Sequence, residues 1–295
     1  AVTISKAGAP NGDAQTAEVA TELSESLRVV VLEDGAAKAG ATVNWTSTAT
    51  AAVLDPTSSI TDANGKAATS WTLGHTAGAQ TARATLSGAG GSPVSFTATG
   101  SPGAAAALTI QGGNNQQPIV TSALAPLSVV VADAFGNGRA GETVAWSVTS
   151  GTLTLSAAQS TSGAGGVATI GGTAAATVGA VSVRALVQDV DTVTFNLTAV
   201  LPSTATVHAP GISYRSARNL STNPAVDTVG VNATVTWDQL GNGVHRVRST
   251  GATSFTDQGA TNSPTFQATF GTAGVYTYDC AVHGPSMTGR VVVLP

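Results

Sequence analysis

The chain has 295 residues, 42% of them apolar, 9% charged and 4% aromatic, with a formal net charge of −4. That length exceeds what one hydrophobic core usually serves, so two or three domains are expected, and the apolar share argues against disorder. No Lys/Arg run offers a nucleic-acid footprint, and no apolar stretch reaches the roughly 18 residues of a membrane span.

The opening "AVTISKAGAP" has neither the basic start nor the apolar core of a signal peptide. Its first residue, Ala rather than Met, suggests a processed or truncated product. The first strong element is "LRVVVLED" (27–34), a β-branched run ending in a turn signal. "ATVNWTS" (41–47) alternates apolar and polar residues, as a half-buried strand does. "ANGKAAT" (63–69) follows a Gly-containing turn. The series then returns as "LSVVVADA" (127–134), "ETVAWSV" (142–148) and "AGGVAT" (164–169). Gly40, Trp45, Gly65, Gly78, Arg83 and Ala84 recur as Gly141, Trp146, Gly166, Gly179, Arg184 and Ala185, each 101 positions on. One spacing held across separated segments marks tandem domains. Several short strands in about 100 residues, with no helical stripe, predict β-sandwiches whose cores Trp45 and Trp146 fill.

"VVVADAFGNGRAGETVAWSV" (129–148), with "TDANGKAAT" (61–69), resembles the bacterial immunoglobulin-like domains of the invasin and intimin type. The resemblance covers residues 1–102 and 103–201. It implies spacers and stalks on bacterial surfaces, sometimes adhesive, without catalysis. The first copy reads "EDGAAKAG" (33–40) and lacks the Gly-Asn of the family's turn. Junctions fall in "GSPGAAAAL" (100–108) and "AVLPSTA" (199–205), both short, so the domains are expected to stand in a fairly stiff row.

Residues 202–295 leave the repeat. Their strand signals are "ATVTW" (233–237), "FQATF" (266–270), "GVYTYDC" (274–280) and "GRVVVLP" (289–295). In "GVYTYDC" the period of two puts Tyr276, Tyr278 and Cys280 on one face and Val275, Thr277 and Asp279 on the other. The sulfur of Cys280 therefore points coreward. Trp237, Phe255, Phe266, Phe270 and both tyrosines are expected in the core.

Cys280 is the only cysteine and Met287 the only methionine, and His283 lies between them. A single cysteine makes no intrachain disulfide. Upstream, "GNGVHRV" (241–247) offers His245 just after a strand. A thiolate, two imidazoles and a thioether form a soft mixed donor set. It suits copper, whereas magnesium and calcium want oxygen and structural zinc seldom takes a thioether. Two His and one Cys in a plane with a weak axial Met describe a blue-copper electron-transfer site.

The pattern G-x-Y-x-Y-x-C-x-x-H-x-x-x-M-x-G over 274–289, with "TVTW" and "GVHRV" upstream, resembles the cupredoxins of the plastocyanin and pseudoazurin type. The resemblance covers about residues 205–295. It implies one type 1 copper ion with His245, Cys280 and His283 as equatorial ligands and Met287 as the axial one. It also implies that His283 is the ring nearest solvent, where electrons enter and leave. The family often has Asn after the first His, bracing the copper loop. Here Arg246 stands there, so the bracing is expected to come from elsewhere. The residue before the cysteine is Tyr in plastocyanins and Asp279 here, so no second electron route is expected through it.

His75 and His208 read as ordinary surface or turn residues. With four His in total, two already assigned, neither a multicopper oxidase nor a copper nitrite reductase fits one chain. No hydrolase elbow, zinc-protease motif or phosphate loop occurs, so no enzyme is expected. Asp133, Asp189 and Asp191 read as solvated carboxylates.

By domain the net charge is −3, −2 and +1. Arg246 and Arg248 flank the first His ligand and are expected to help dock an acidic redox partner.

The reading as a whole is an all-β chain: two immunoglobulin-like sandwiches followed by a cupredoxin-like Greek-key sandwich. It would be a secreted or surface-displayed bacterial carrier of single electrons, extracellular or periplasmic, serving a cytochrome or oxidase. The alternative is a structural or adhesive surface protein, or a filament subunit self-associating through the immunoglobulin-like domains, in which copper stabilises the fold or is vestigial.

Overall fold

The computed structural model of the chain describes residues 1–240, 245–259 and 263–295. These residues form strands joined by turns, with one short 3-10 turn at Ala164–Gly166 and no α-helix among them. The protein is an all-β, multi-domain sandwich. Its buried apolar side chains fall into three separate clusters, spanning Ile4 to Ala98, Leu108 to Leu197 and Val207 to Val293.

In the first cluster, the sheet Val2–Lys6, Leu27–Glu33, Lys66–Thr72, Val53–Asp55 faces the sheet Gln15–Glu18, Val94–Ser101, Gly78–Thr85, Thr42–Ser47, Ser58–Ile60. Leu27, Val29 and Val31 alternate inward, fully buried, against Val43, Trp45, Trp71 and Phe96. In the second cluster, Ala105–Gly112, Leu127–Asp133 and Val167–Ile170 face Gln159–Thr161, Thr143–Ser150, Gly179–Val187 and Asp191–Ala199.

The repeat extends to single atoms. Trp45 Nε1 donates to Ser59 Oγ at 2.8 Å, and Trp146 Nε1 donates to Ser160 Oγ at 2.9 Å. Buried Thr61 Oγ1 donates to Lys38 O and accepts from Ala41 N; Ser162 Oγ does the same with Arg139 O and Glu142 N. Gln15 staples Gly12 to Glu25 as Gln116 staples Gly113 to Ala125, a correspondence the sequence comparison did not reach. The repeated glycines Gly65 and Gly166 have φ of +71° and +78°, and a Cβ on them would meet Val31 O at 2.4 Å and Val131 O at 2.1 Å. Only glycine fits there.

The junctions are short because strands run almost up to them: Val94–Ser101 to Ala105–Gly112, and Asp191–Ala199 to Thr204–His208. The first is also bonded across. Asn137 Nδ2 donates to His75 O at 2.8 Å, Asn137 Oδ1 accepts from Ala77 N at 2.8 Å, and the His75 ring stacks on Phe135 at 4.1 Å. Asp133, expected to be solvated, is buried instead. It accepts from Phe135 N, Asn137 N, Asn137 Nδ2 and Gly103 N, which ties the junction to the turn. His75 is thus part of a joint and not an ordinary surface residue. Asp189 and Asp191 are exposed, as expected. At the second junction Arg218 donates to Val120 O and to Thr121 Oγ1.

The third unit is built differently. Arg215–Ser216, Thr204–His208, Ala233–Asp238 and Phe266–Phe270 form one sheet; Ala225–Gly230, Gly284–Leu294, Gly274–Cys280 and Val247–Ser249 form the other. Each contains one parallel pairing, Thr204–His208 with Ala233–Asp238 and Ala225–Gly230 with Gly284–Leu294. The strands over 204–208, 215–216 and 225–230 carried no clear sequence signal. His208 is no free surface residue either: its Nδ1 meets Asp238 Oδ1 at 2.6 Å.

Candidate metal centre

The expected alternation in Gly274–Cys280 holds for its inner face, where Tyr276, Tyr278 and Cys280 are buried. Trp237 fixes this face, with its ring 5.1 Å from that of Tyr278 and perpendicular to it. Tyr214 packs edge-on against the same ring at 5.1 Å. Burial lifts the Tyr214 and Tyr278 hydroxyls well above the ordinary phenol value, so both stay neutral. Gly289 lies directly opposite Tyr278 in the ladder, leaving room for the ring to lie across the backbone.

Three expected ligands come together. Cys280 Sγ lies 3.9 Å from His245 Nδ1 and 3.4 Å from His283 Nδ1, and the donor atoms of the three residues lie within 4.8 Å of one another. Metal bonds of about 2.0 Å to imidazole and 2.3 Å to thiolate, meeting at about 110–120°, would separate N and S by roughly 3.5–3.7 Å. The observed spacings bracket that range, so the residues fit a small ion. Cys280 and His245 are buried and His283 is half-buried, as expected for the ring nearest solvent. The other His245 nitrogen, Nε2, is buried without a hydrogen-bond partner. Burial first, and the nearby His283 second, hold His245 below its ordinary value, which keeps its ring neutral and able to ligate. Of the stretch "GNGVHRV", residues 241–244 lie outside the described residues; His245 itself is described.

Met287 is fully buried in the same apolar cluster as Cys280. It does not sit in a plain loop, as the sequence suggested. The strand Gly284–Leu294 already begins at Gly284, which pairs with Cys280, while Thr288 pairs with Asp279. Pro285, Ser286 and Met287 therefore bulge out of register between those two pairs. Bulges of this kind re-aim a side chain next to a site.

Two expectations about the surroundings need correction. Arg246 does brace the site, through its backbone: its N–H donates to Cys280 Sγ at 3.5 Å, and its Nε donates to Gln258 O at 3.2 Å. The backbone amide serves whatever the side chain is, so replacing Asn by Arg leaves that bond intact. Asp279 does not face solvent. It is buried and binds Arg248 through two bonds, 2.9 and 2.7 Å. Arg248 is thus paired with an acid, whereas Arg246 donates to a neutral carbonyl and keeps its charge. Sequence reasoning also missed Gln258, buried, whose Oε1 accepts from Val247 N at 3.2 Å beside His245. An isolated Gln in "FTDQG" carries no pattern that marks it.

No helix among the described residues is long and apolar enough to cross a membrane. No protein-family model and no curated protein matches the chain. Among solved structures it is similar to the Escherichia coli adhesin FdeC, at 16% identity over all of this chain and 97% of that one, with a TM-score of 0.46. Invasin, described as a bacterial integrin-binding protein, is similar at 19% identity over all of this chain and 60% of its own, with a TM-score of 0.33. Yersinia pseudotuberculosis InvD is similar at 17% identity over 68% of this chain and 57% of its own, with a TM-score of 0.38. These likenesses are ones of fold alone.

Proposed function

We propose that the chain is a three-domain surface or secreted protein, with boundaries near residues 102 and 201, whose last domain is cupredoxin-like and carries single electrons at one type 1 copper ion. The observation that carries this reading is the convergence of His245 Nδ1 and His283 Nδ1 on Cys280 Sγ. His245, Cys280 and His283 would hold the ion, with Met287 as a further, weaker donor. Copper, when bound, supplies a reversible one-electron couple. The protein supplies the rest. The Arg246 amide steadies negative charge on the sulfur, the aromatic layer of Tyr214, Tyr278 and Trp237 excludes water, and the half-buried His283 ring leaves a contact point for a redox partner such as a cytochrome or oxidase.

The test is optical and EPR spectroscopy of protein loaded with Cu(II). An intense blue band with narrow hyperfine splitting, bleached reversibly by a mild reductant, is expected. A pale spectrum with ordinary splitting would overturn the proposal.

A second reading, a structural or adhesive surface protein with a stabilising copper domain, is favoured by the bonded joint at Asn137, which a freely diffusing electron carrier does not need. It predicts self-association or cell binding that survives Cys280→Ser.

A further inference from the structure

Pro285, Ser286 and Met287 have no ladder partners, so something else must hold them. Within the turn, Ser286 Oγ donates to His283 O at 2.7 Å. Among the described residues, the side-chain hydrogen bonds that reach Ser286 and Thr288 from outside the hairpin come from Asn223. Its Nδ2 donates to Ser286 O at 3.0 Å, and its Oδ1 accepts from Thr288 N at 3.3 Å. The two bonds grip the backbone on either side of Met287. Asn223 is itself fixed to Tyr214: its Oδ1 also accepts from Tyr214 N at 3.3 Å, and its own N–H donates to Tyr214 O at 3.4 Å. Its φ is +36°, a region that Asn tolerates better than other residues with a Cβ. The side-chain amide suits the place because the grip needs a donor and an acceptor on one short group.

We infer that Asn223 is a positioning residue of the metal centre: by bracketing Met287 it sets how closely the thioether approaches the ion. This rests on the copper reading above. Among the described residues no hydrogen bond joins Asn223 to Cys280, His245 or His283, so its loss acts on Met287 and leaves the other three donors in place. Partners of this kind are worth about 10–100-fold in metal affinity.

The test compares wild type with Asn223→Gly, Asn223→Ala and Asn223→Asp. Glycine accepts the positive φ while removing the side chain, so it separates the grip from backbone strain. In Asn223→Gly and Asn223→Ala, Cu(II)-loaded protein should keep its thiolate–copper band. Its EPR hyperfine splitting and reduction potential should move toward those of Met287→Ala, with copper released about 10–100-fold faster. Asn223→Asp retains the acceptor for Thr288 N but loses the donor to Ser286 O, so its spectrum and release rate should fall between those of wild type and Asn223→Ala.

A metal-free readout accompanies these measurements. Amide exchange at Thr288 in apoprotein should quicken in the glycine and alanine variants and not in Asn223→Asp. A wild-type spectrum and release rate in Asn223→Gly, beside a normal blue wild type, would overturn this inference alone. Absence of the blue band in wild type would overturn the copper reading and this inference together.

Discussion

Replacing Gly289 with alanine tests the packing on which the metal centre stands. A Cβ at 289 would lie 2.1 Å from Tyr278 Cζ and 2.2 Å from its Oη. Carbon atoms settle at about 3.5–4.0 Å, so the ring must retreat by more than about 1 Å. It has little room to do so. Tyr278 is 1% exposed, with Trp237 and Tyr214 each at 5.1 Å on other sides. Overpacking of a filled core costs about 1–3 kcal/mol, and an overlap this deep belongs at the top of that range. For a unit of under about 100 residues, about 3 kcal/mol lowers the midpoint by roughly 12–24 °C. Differential scanning calorimetry of wild type and Gly289→Ala should show one transition falling by that amount while those of residues 1–201 stay in place. Loss of the blue band with temperature identifies the transition that moves. A shift below about 4 °C, less than about 1 kcal/mol, would mean that Tyr278 does not lie on the backbone at 289.

Cys280→Ser should abolish the blue band without unfolding the domain, since a hydroxyl is of similar size; near-UV circular dichroism checks the fold and absorption the metal. Asn137→Ala removes the bonds to His75 and Ala77 and also the one to buried Asp133, so it should leave the first domain's stability unchanged, cost the second about 1.5–3 kcal/mol, and broaden the distance between spin labels placed in domains one and two. In Asp133, burial raises the pKa, but hydrogen bonds from Asn137, Gly103 and Phe135 outweigh it and hold the group below the ordinary 3.8. A depressed acid stabilises the fold above its unfolded value and loses that contribution as pH falls through the folded one. The joint should therefore stay closed at pH 5 and open only below about pH 3.8, read from exchange of the Gly103 and Ala77 amides; opening near pH 6 would contradict this. Arg218→Ala should free the second junction while leaving the spectrum of the Cu(II)-loaded protein unchanged.

The strands with strong periodicity were legible because one buried face imposes a period of two, as in Leu27–Glu33 and Gly274–Cys280. The repeat was legible because tandem copies preserve the few positions that backbone geometry dictates, such as Gly65 and Gly166. Cys280, His283 and Met287 stood out because sulfur is scarce in this chain. The strands Thr204–His208 and Ala225–Gly230 were not legible, since their burial depends on parallel partners far away in sequence. Arg246 was misjudged because its role runs through the main chain, which a residue name does not report. Asp279 was misplaced because alternation says which way a side chain points and not whether a partner such as Arg248 covers it. Asn223 gave no signal, because its importance comes from standing beside a bulge contributed by residues more than 60 positions away.

The two repeats share a tryptophan-to-serine bond, a buried hydroxyl and a glutamine staple, yet they differ at one turn. Where the second has Asn137, the first has Ala36, an exposed residue with no group that could reach across a joint. Interior design and mechanical coupling are therefore written in different places. A duplicated module can keep these core contacts and still differ in how it is fastened to its neighbour. Rigidity along such an array is thus free to vary from joint to joint.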